Sequence, residues 1–198
     1  MPPLSKQPEI IAIIERCLQG DQSGYAELYA QYSAGLYRLC YSLLLHQQDA
    51  EDVLQDAFVY AFKNLQRYDS DRASFKTWLY TIAVSRCRNM YRRKRFPTID
   101  LTQMVHFEPA APRSDTPEAA IARRDAEEAI QKALQSLSPR LREAVVLRYG
   151  HGLTYREMAG IMDCPQKTAE SRVRLAHKKL HSVLEPVGHG LLSELLRI

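Results

Sequence analysis

The chain has 198 residues, and 27 Lys+Arg against 23 Asp+Glu leave a formal charge of +4. With 45% hydrophobic and 25% charged residues, its composition excludes wholesale disorder and collagen-like repeats. No run of about 18 apolar residues occurs, which excludes a membrane-spanning helix, and Met1 to Glu9 lacks the apolar stretch of a secretory signal. The chain is therefore expected in the cytoplasm. Cys17, Cys40, Cys87 and Cys164 are widely spaced, with no CxxC and no His at zinc-finger spacing. They read as reduced thiols packed among helices rather than as a disulfide framework.

Glycine is scarce (8 of 198) and apolar residues recur at helical spacing, so the chain reads as all-α. Glu9–Gln19 and Ser23–Leu45 read as the first two helices. A third starts near Asp49, with Leu54, Phe58, Ala61, Phe62 and Leu65 as its apolar stripe. A fourth runs from about Ser74 to Arg95, with Phe75, Trp78, Leu79, Ile82 and Met90 inward. Between Phe96 and Pro117 lie Pro97, Pro109, Pro112 and Pro117, which break helices. The charge also changes sign there. Arg86, Arg88, Arg92, Arg93, Lys94 and Arg95 have no acid among them, whereas Pro97 to Glu128 holds seven acids against three arginines.

The expected organisation is two small helical domains joined by a flexible acidic linker: residues 1–96, a Pro-rich linker 97–117, a second domain 118–185, and an amphipathic tail 186–198. In the second domain a helix over Glu118–Leu134 leads to Ser138-Pro139, a cap and a first helical residue. The next helix runs to about Tyr149 and is broken by Gly150-His151-Gly152. Thr154 and Glu157 form a capping box for a short helix to Met162. Asp163-Cys164-Pro165 turns the chain into a last helix, Gln166–Leu184, that buries Ala169, Val173, Ala176 and Leu180.

Leu153 to Arg174 has the dimensions of a helix-turn-helix, whose second helix enters the major groove. Opposite the apolar stripe stand Lys167, Ser171, Arg174 and Lys178, suited to guanine edges or phosphates, with Arg172 on a flank. An ordinary amphipathic helix with a solvated basic face carries the same pattern. In the fourth helix Thr81, Ser85, Arg88 and Arg92 line one polar face, near Tyr68, Phe75, Tyr80 and Tyr91. Cations beside aromatic rings suit single-stranded nucleic acid, though basic residues also favour a helix C-terminus. Asp49, Asp52 and Asp56 share a face of the third helix, as dipole compensation or as a docking surface for a basic partner. No GxGxxG, P-loop, GxSxG or HExxH occurs, and the six His form no ligand pattern, so no enzyme activity, cofactor or metal is expected.

The segments Asp49-Ala50-Glu51-Asp52-Val53-Leu54-Gln55-Asp56-Ala57-Phe58 and Phe75-Lys76-Thr77-Trp78-Leu79-Tyr80-Thr81-Ile82-Ala83 resemble bacterial RNA polymerase sigma factors of the sigma-70 family, in its extracytoplasmic-function (ECF) group. Leu137-Ser138-Pro139, Arg142 to Tyr149, Leu153 to Ala159, and Thr168 with Ser171-Arg172 resemble that group's C-terminal DNA-binding domain. The resemblance implies a non-enzymatic factor that binds core RNA polymerase and promoter DNA and is held by an anti-sigma factor. Core binding would fall to Asp49, Asp52, Gln55, Asp56 and Phe58. The melted −10 element would meet Tyr68, Ser74, Ser85, Arg88, Asn89, Arg92 and Arg93, and the −35 element Lys167, Thr168, Ser171, Arg172, Arg174 and Lys178.

Departures from the family pattern are local. Lys167-Thr168-Ala169-Glu170-Ser171-Arg172 stands where Gly-Thr-Val-Lys-Ser-Arg is usual, and Leu175 and His177 stand where Arg is common. An unusual −35 preference is expected, with Leu175 against a thymine methyl. The reading from another class is a helix-turn-helix regulator that binds duplex DNA without core polymerase.

Overall fold

The computed structural model describes residues 8–95 and 128–184, and among them every regular element is a helix. In chain order these are α1 (Pro8–Leu18), α2 (Gln22–Leu44), α3 (Gln47–Lys63), a 3-10 turn (Leu65–Arg67) and α4 (Phe75–Arg95). After the gap come α5 (128–136), α6 (Pro139–Val145), a π-helical turn (Val146–Gly150), α7 (Tyr155–Met162) and α8 (Gln166–Leu184). The expected linker and C-terminal tail lie outside the described residues.

The first bundle packs α1 to α4 around Leu28, Leu36, Leu39, Ala50, Val53, Ala57, Phe75, Leu79 and Ala83, all nearly inaccessible. Asp21 caps α2, accepting from Ser23 N at 2.9 Å. Gly24 lets α1 and α2 cross closely: a Cβ there would stand 2.7 Å from Cys17 Sγ. α2 ends at Leu45, which takes a left-handed φ of 55° despite its side chain. His46 caps α3 in turn, its Nδ1 accepting from Asp49 N.

In the second bundle α6, the π turn and α8 bury Ala144, Leu147, Ala169, Val173, Ala176 and Leu180. The four residues expected inward on α8 are 0–3% exposed. Thr154 and Glu157 form the expected capping box. Asp163 ends α7 at φ 49°, a conformation aspartate tolerates better than most residues. Two expectations differ. Ser138 precedes α6, but its hydroxyl makes no capping bond, and the helix beyond Val145 widens into a π turn rather than running on as α.

The two bundles also pack on one another, which the sequence offered no means to expect. α4 lies against α7, and α2 against α6 and the π turn. Buried polar groups face one another across this contact, described next.

Candidate nucleic-acid interface

The acidic row of α3 is on the surface as expected. Asp52, Gln55 and Asp56 are exposed, while Asp49 is half-buried and lies 3.5 Å from His46 Nδ1. Phe58, expected on the same contact surface, is only 3% exposed and packs on Tyr29 and Phe62. Its ring lies in the packing beneath the helix, in line with its place in the apolar stripe of α3.

The segment before α4 is built on aromatic packing. Tyr68 lies 5.5 Å from Phe75 and 5.4 Å from Trp78, centroid to centroid, and donates its hydroxyl to Ala73 O. Burial pushes its phenol up. Ser74 acts as the N-cap of α4, its Oγ accepting from Thr77 N at 3.2 Å.

Along α4 the structure divides the expected polar face in two. Thr81, Ser85 and Asn89 border a hollow of about 420 Å³ that Trp78 and Ile82 floor, so these two apolar residues are half-buried rather than inward. Arg88 and Arg92 instead line a cleft of about 850 Å³ between the bundles. Arg92 also bonds Asn89 Oδ1, and Arg93 is exposed.

The cleft is held by Arg88 and Tyr91, expected on a nucleic-acid face, together with Glu143 and Arg142, which had no role of their own in the sequence reading. Arg88 makes a bidentate pair with Glu143 (Nε to Oε2 3.0 Å, Nη2 to Oε1 2.5 Å) and donates to Met162 O at 3.0 Å. Glu143 is buried, and burial pushes its carboxyl up while Arg88 draws it back only in part. Arg142, 8% exposed, donates to Leu134 O, Leu137 O and, across the gap, Leu43 O at 2.8 Å. Its guanidinium thus satisfies the last carbonyls of two helices and sits at the negative end of both dipoles. Tyr91, from α4, joins the same cluster, accepting from Arg142 Nη1 at 2.6 Å and donating to Leu43 O.

A second junction forms at the π turn. His151 lies between Tyr80 and Lys76: its Nδ1 is 3.1 Å from the Tyr80 hydroxyl, and its carbonyl accepts from Lys76 Nζ. Burial first, then Lys76 and Arg38, depress the imidazole to about 4. Nearby, Thr77 donates to Glu157, a member of the capping box, at 3.4 Å.

On α8, Lys167, Arg174 and Lys178 are exposed, and Thr168, Ser171 and Arg172 are half-buried. Arg172 lines the cleft and reaches Cys164 Sγ at 3.7 Å. Glu170 is held by Gln166 at 2.9 Å, and Leu175 is 51% exposed on this otherwise cationic face. All four cysteines are free thiols, three of them buried. No described helix is long and apolar enough to cross a membrane.

An acidic helix, an aromatic-edged helix and a basic helix-turn-helix in this order define a transcription-initiation factor of the sigma class. The family models described as Sigma-70 region 2 and Sigma-70, region 4 match residues 28–96 and 127–180. The RNA polymerase sigma-H factor of Pseudomonas aeruginosa is 32% identical over 88% of this chain and 93% of its own. The ECF RNA polymerase sigma-E factor of Escherichia coli K12 is 32% identical over 93% and 98%. Among solved structures, CnrH in complex with the cytosolic domain of CnrY shares the fold (TM-score 0.67, 24% identity, 89% of this chain and 97% of that chain). The sigma factor RpoE of Bartonella quintana, crystallised with the anti-sigma factor NepR, gives a TM-score of 0.61 at 25% identity over 81% and 96%. The chain belongs to the sigma-70 family, in its ECF group. It directs RNA polymerase to promoters, and a regulator acting without core polymerase is not favoured, because the relatives matched nearly end to end are polymerase sigma factors.

Proposed function

We propose that the chain divides promoter use among three surfaces. Asp52, Gln55 and Asp56 on α3, with Asp49 at its start, dock on a basic surface of core polymerase. Tyr68, Ser74 and the outer face of α4 (Ser85, Asn89) take the melted −10 strand, joined by Arg88, Arg92 and Arg93 once the cleft opens. Lys167, Thr168, Ser171, Arg172, Arg174 and Lys178 take the −35 duplex, with α8 in the major groove. The protein catalyses nothing itself and works in the cytoplasm beside the polymerase. The observation that carries this is the exposed acidic row on α3 and the exposed basic row on α8, on separate bundles of one chain. One suits a basic protein surface and the other suits duplex DNA.

The arrangement of the bundles adds a condition. The centres of −10 and −35 elements lie roughly 25 base pairs apart, about 85 Å along B-DNA. The 19 residues of α8 extend only ~28 Å, and Arg88, Arg92 and Arg172 share one cleft. The described arrangement is therefore a closed form, and promoter binding requires the bundles to part. An anti-sigma factor of the kind bound to the Bartonella protein would act by holding the closed form.

Replacing Asp52 and Asp56 together by Lys tests the core assignment. The double variant should lose at least tenfold in affinity for core polymerase and direct no transcription, while binding −35 duplex as before. Full transcription by that variant would contradict the assignment.

A further inference from the structure

We infer that the cleft between the bundles is a binding site for a small polyphosphate, an anion that holds the closed form and competes with promoter DNA; the competition rests on the promoter reading above. The cleft has a volume of about 850 Å³, within the range of small-ligand sites. Four arginines line it from three helices: Arg88 and Arg92 on α4, Arg140 on α6 and Arg172 on α8. Against them stand two carboxylates, Glu143 and Asp163, which leaves a net charge of +2 (4 − 2).

Glu143 is already engaged by Arg88, at 3.0 and 2.5 Å. Among the described residues the other three arginines have no ion-pair partner. Arg92 bonds the neutral Asn89 Oδ1, and Arg172 meets the Cys164 thiol at 3.7 Å. Arg92 and Arg140 are exposed and Arg172 is half-buried, so an ion from solvent reaches them. Like charges brought from two bundles into one concave space repel, and a cleft of one sign focuses its field on an incoming anion. Guanidinium forks pair with phosphate oxygens bidentately. A chain of linked phosphates offers several such oxygens in a row and enough charge to offset the excess. Leu43, Pro139 and the ring of Tyr91 supply an apolar part of the lining, the Tyr91 hydroxyl being engaged by Arg142 and Leu43 O. A nucleobase fits that chemistry, so inorganic polyphosphate and a nucleoside polyphosphate are two sources of one ligand type. Because its contacts come from both bundles, the anion shifts the population toward the closed form. Arg88, Arg92 and Arg172 also belong to the proposed promoter contacts, so an occupied cleft withholds them from DNA. Arg140 has no such role, and it separates the anion site from the promoter surfaces.

The test uses the free full-length chain, with sodium tripolyphosphate and ATP as probes and sodium chloride at matched ionic strength as control. Calorimetry should show Arg140→Ala binding tripolyphosphate about tenfold more weakly than wild type, with Arg140→Lys recovering part of the loss. Saturating tripolyphosphate should weaken wild-type binding to −35 duplex about tenfold, beyond the effect of matched chloride. Arg140→Ala should bind the duplex within about twofold of wild type when no anion is present, and need about tenfold more anion to lose it. ATP binding tighter than tripolyphosphate would name a nucleotide as the source, and equal or weaker binding would name the inorganic chain; either supports the site. Equal tripolyphosphate affinity in wild type and Arg140→Ala would overturn it, as would a loss of duplex binding that chloride reproduces. A wild type that binds the anion through Arg140 yet directs no transcription with core polymerase would support the site and overturn the promoter reading.

Discussion

His151 couples the closed form to pH. Its imidazole, facing Tyr80 and Lys76 on α4 and Arg38 on α2, is depressed to about 4 from an ordinary 6.5. Above pH 6.5 the group is neutral in both open and closed forms and adds no pH dependence. Between 6.5 and 4 the open form takes up a proton that the closed form refuses, so closure weakens as pH falls, by about 1.4 kcal/mol per unit. Glu143 works in the opposite sense, because its buried carboxyl is pushed up and protonation favours closure. Comparing wild type with His151→Gln isolates the imidazole. Small-angle scattering from pH 7.5 to 5 should show wild type expanding while the variant holds its radius. Equal expansion of both would contradict the role given to His151. None of this was legible in the sequence, where His151 stood only as part of a Gly-His-Gly break and Arg142 and Glu143 only as part of a segment resembling the C-terminal domain. Burial of a charged side chain depends on what arrives from the other bundle, and periodicity within one helix carries no such information.

At the scale of the element, the helices were legible almost to their ends. Apolar spacing set α1 to α4, the capping box set the start of α7, and the inward row of α8 was right at each of four positions. Two local features were not. The π turn after Val145 leaves no mark in composition, because any helix-forming run can widen when tertiary contacts draw it. The polar face of α4 was read as one stripe, but a helix has room for two neighbours. Thr81, Ser85 and Asn89 border one hollow while Arg88 and Arg92 border another. For α8 the element itself yields a prediction. Arg174→Ala and Lys178→Ala should each weaken −35 binding across all sequences and flatten the salt dependence by about 0.9. Leu175→Ala should change preference at a single thymine and leave the salt slope alone. A base-by-base scan in both backgrounds checks this, and a uniform loss in Leu175→Ala would show that Leu175 reads no base.

For the whole molecule, the family and the two bundles were legible in the order and spacing of the motifs, and their mutual packing was not. A long acidic linker reads as separation, yet the described arrangement is joined by Arg88–Glu143, by Arg142 at Leu43 O and by Tyr80–His151. A buried ion pair of this kind adds little net stability but is costly to break from one side, so it specifies an arrangement more than it strengthens one. Removing one partner therefore has a sign. Arg88→Ala leaves Glu143 unpaired and should shift the free protein toward the open form. The same change also removes a proposed −10 contact. Hydrodynamic radius, which DNA contact does not affect in the free protein, separates the two consequences.

The most direct measurement places a donor dye on Gln48 of α3 and an acceptor on Lys179 of α8, both exposed, and follows energy transfer in one sample. The free protein should transfer efficiently. Adding core polymerase and promoter DNA should collapse the transfer as discrete transcripts appear. Transcripts with transfer unchanged would contradict the claim that the two bundles must part to read a promoter.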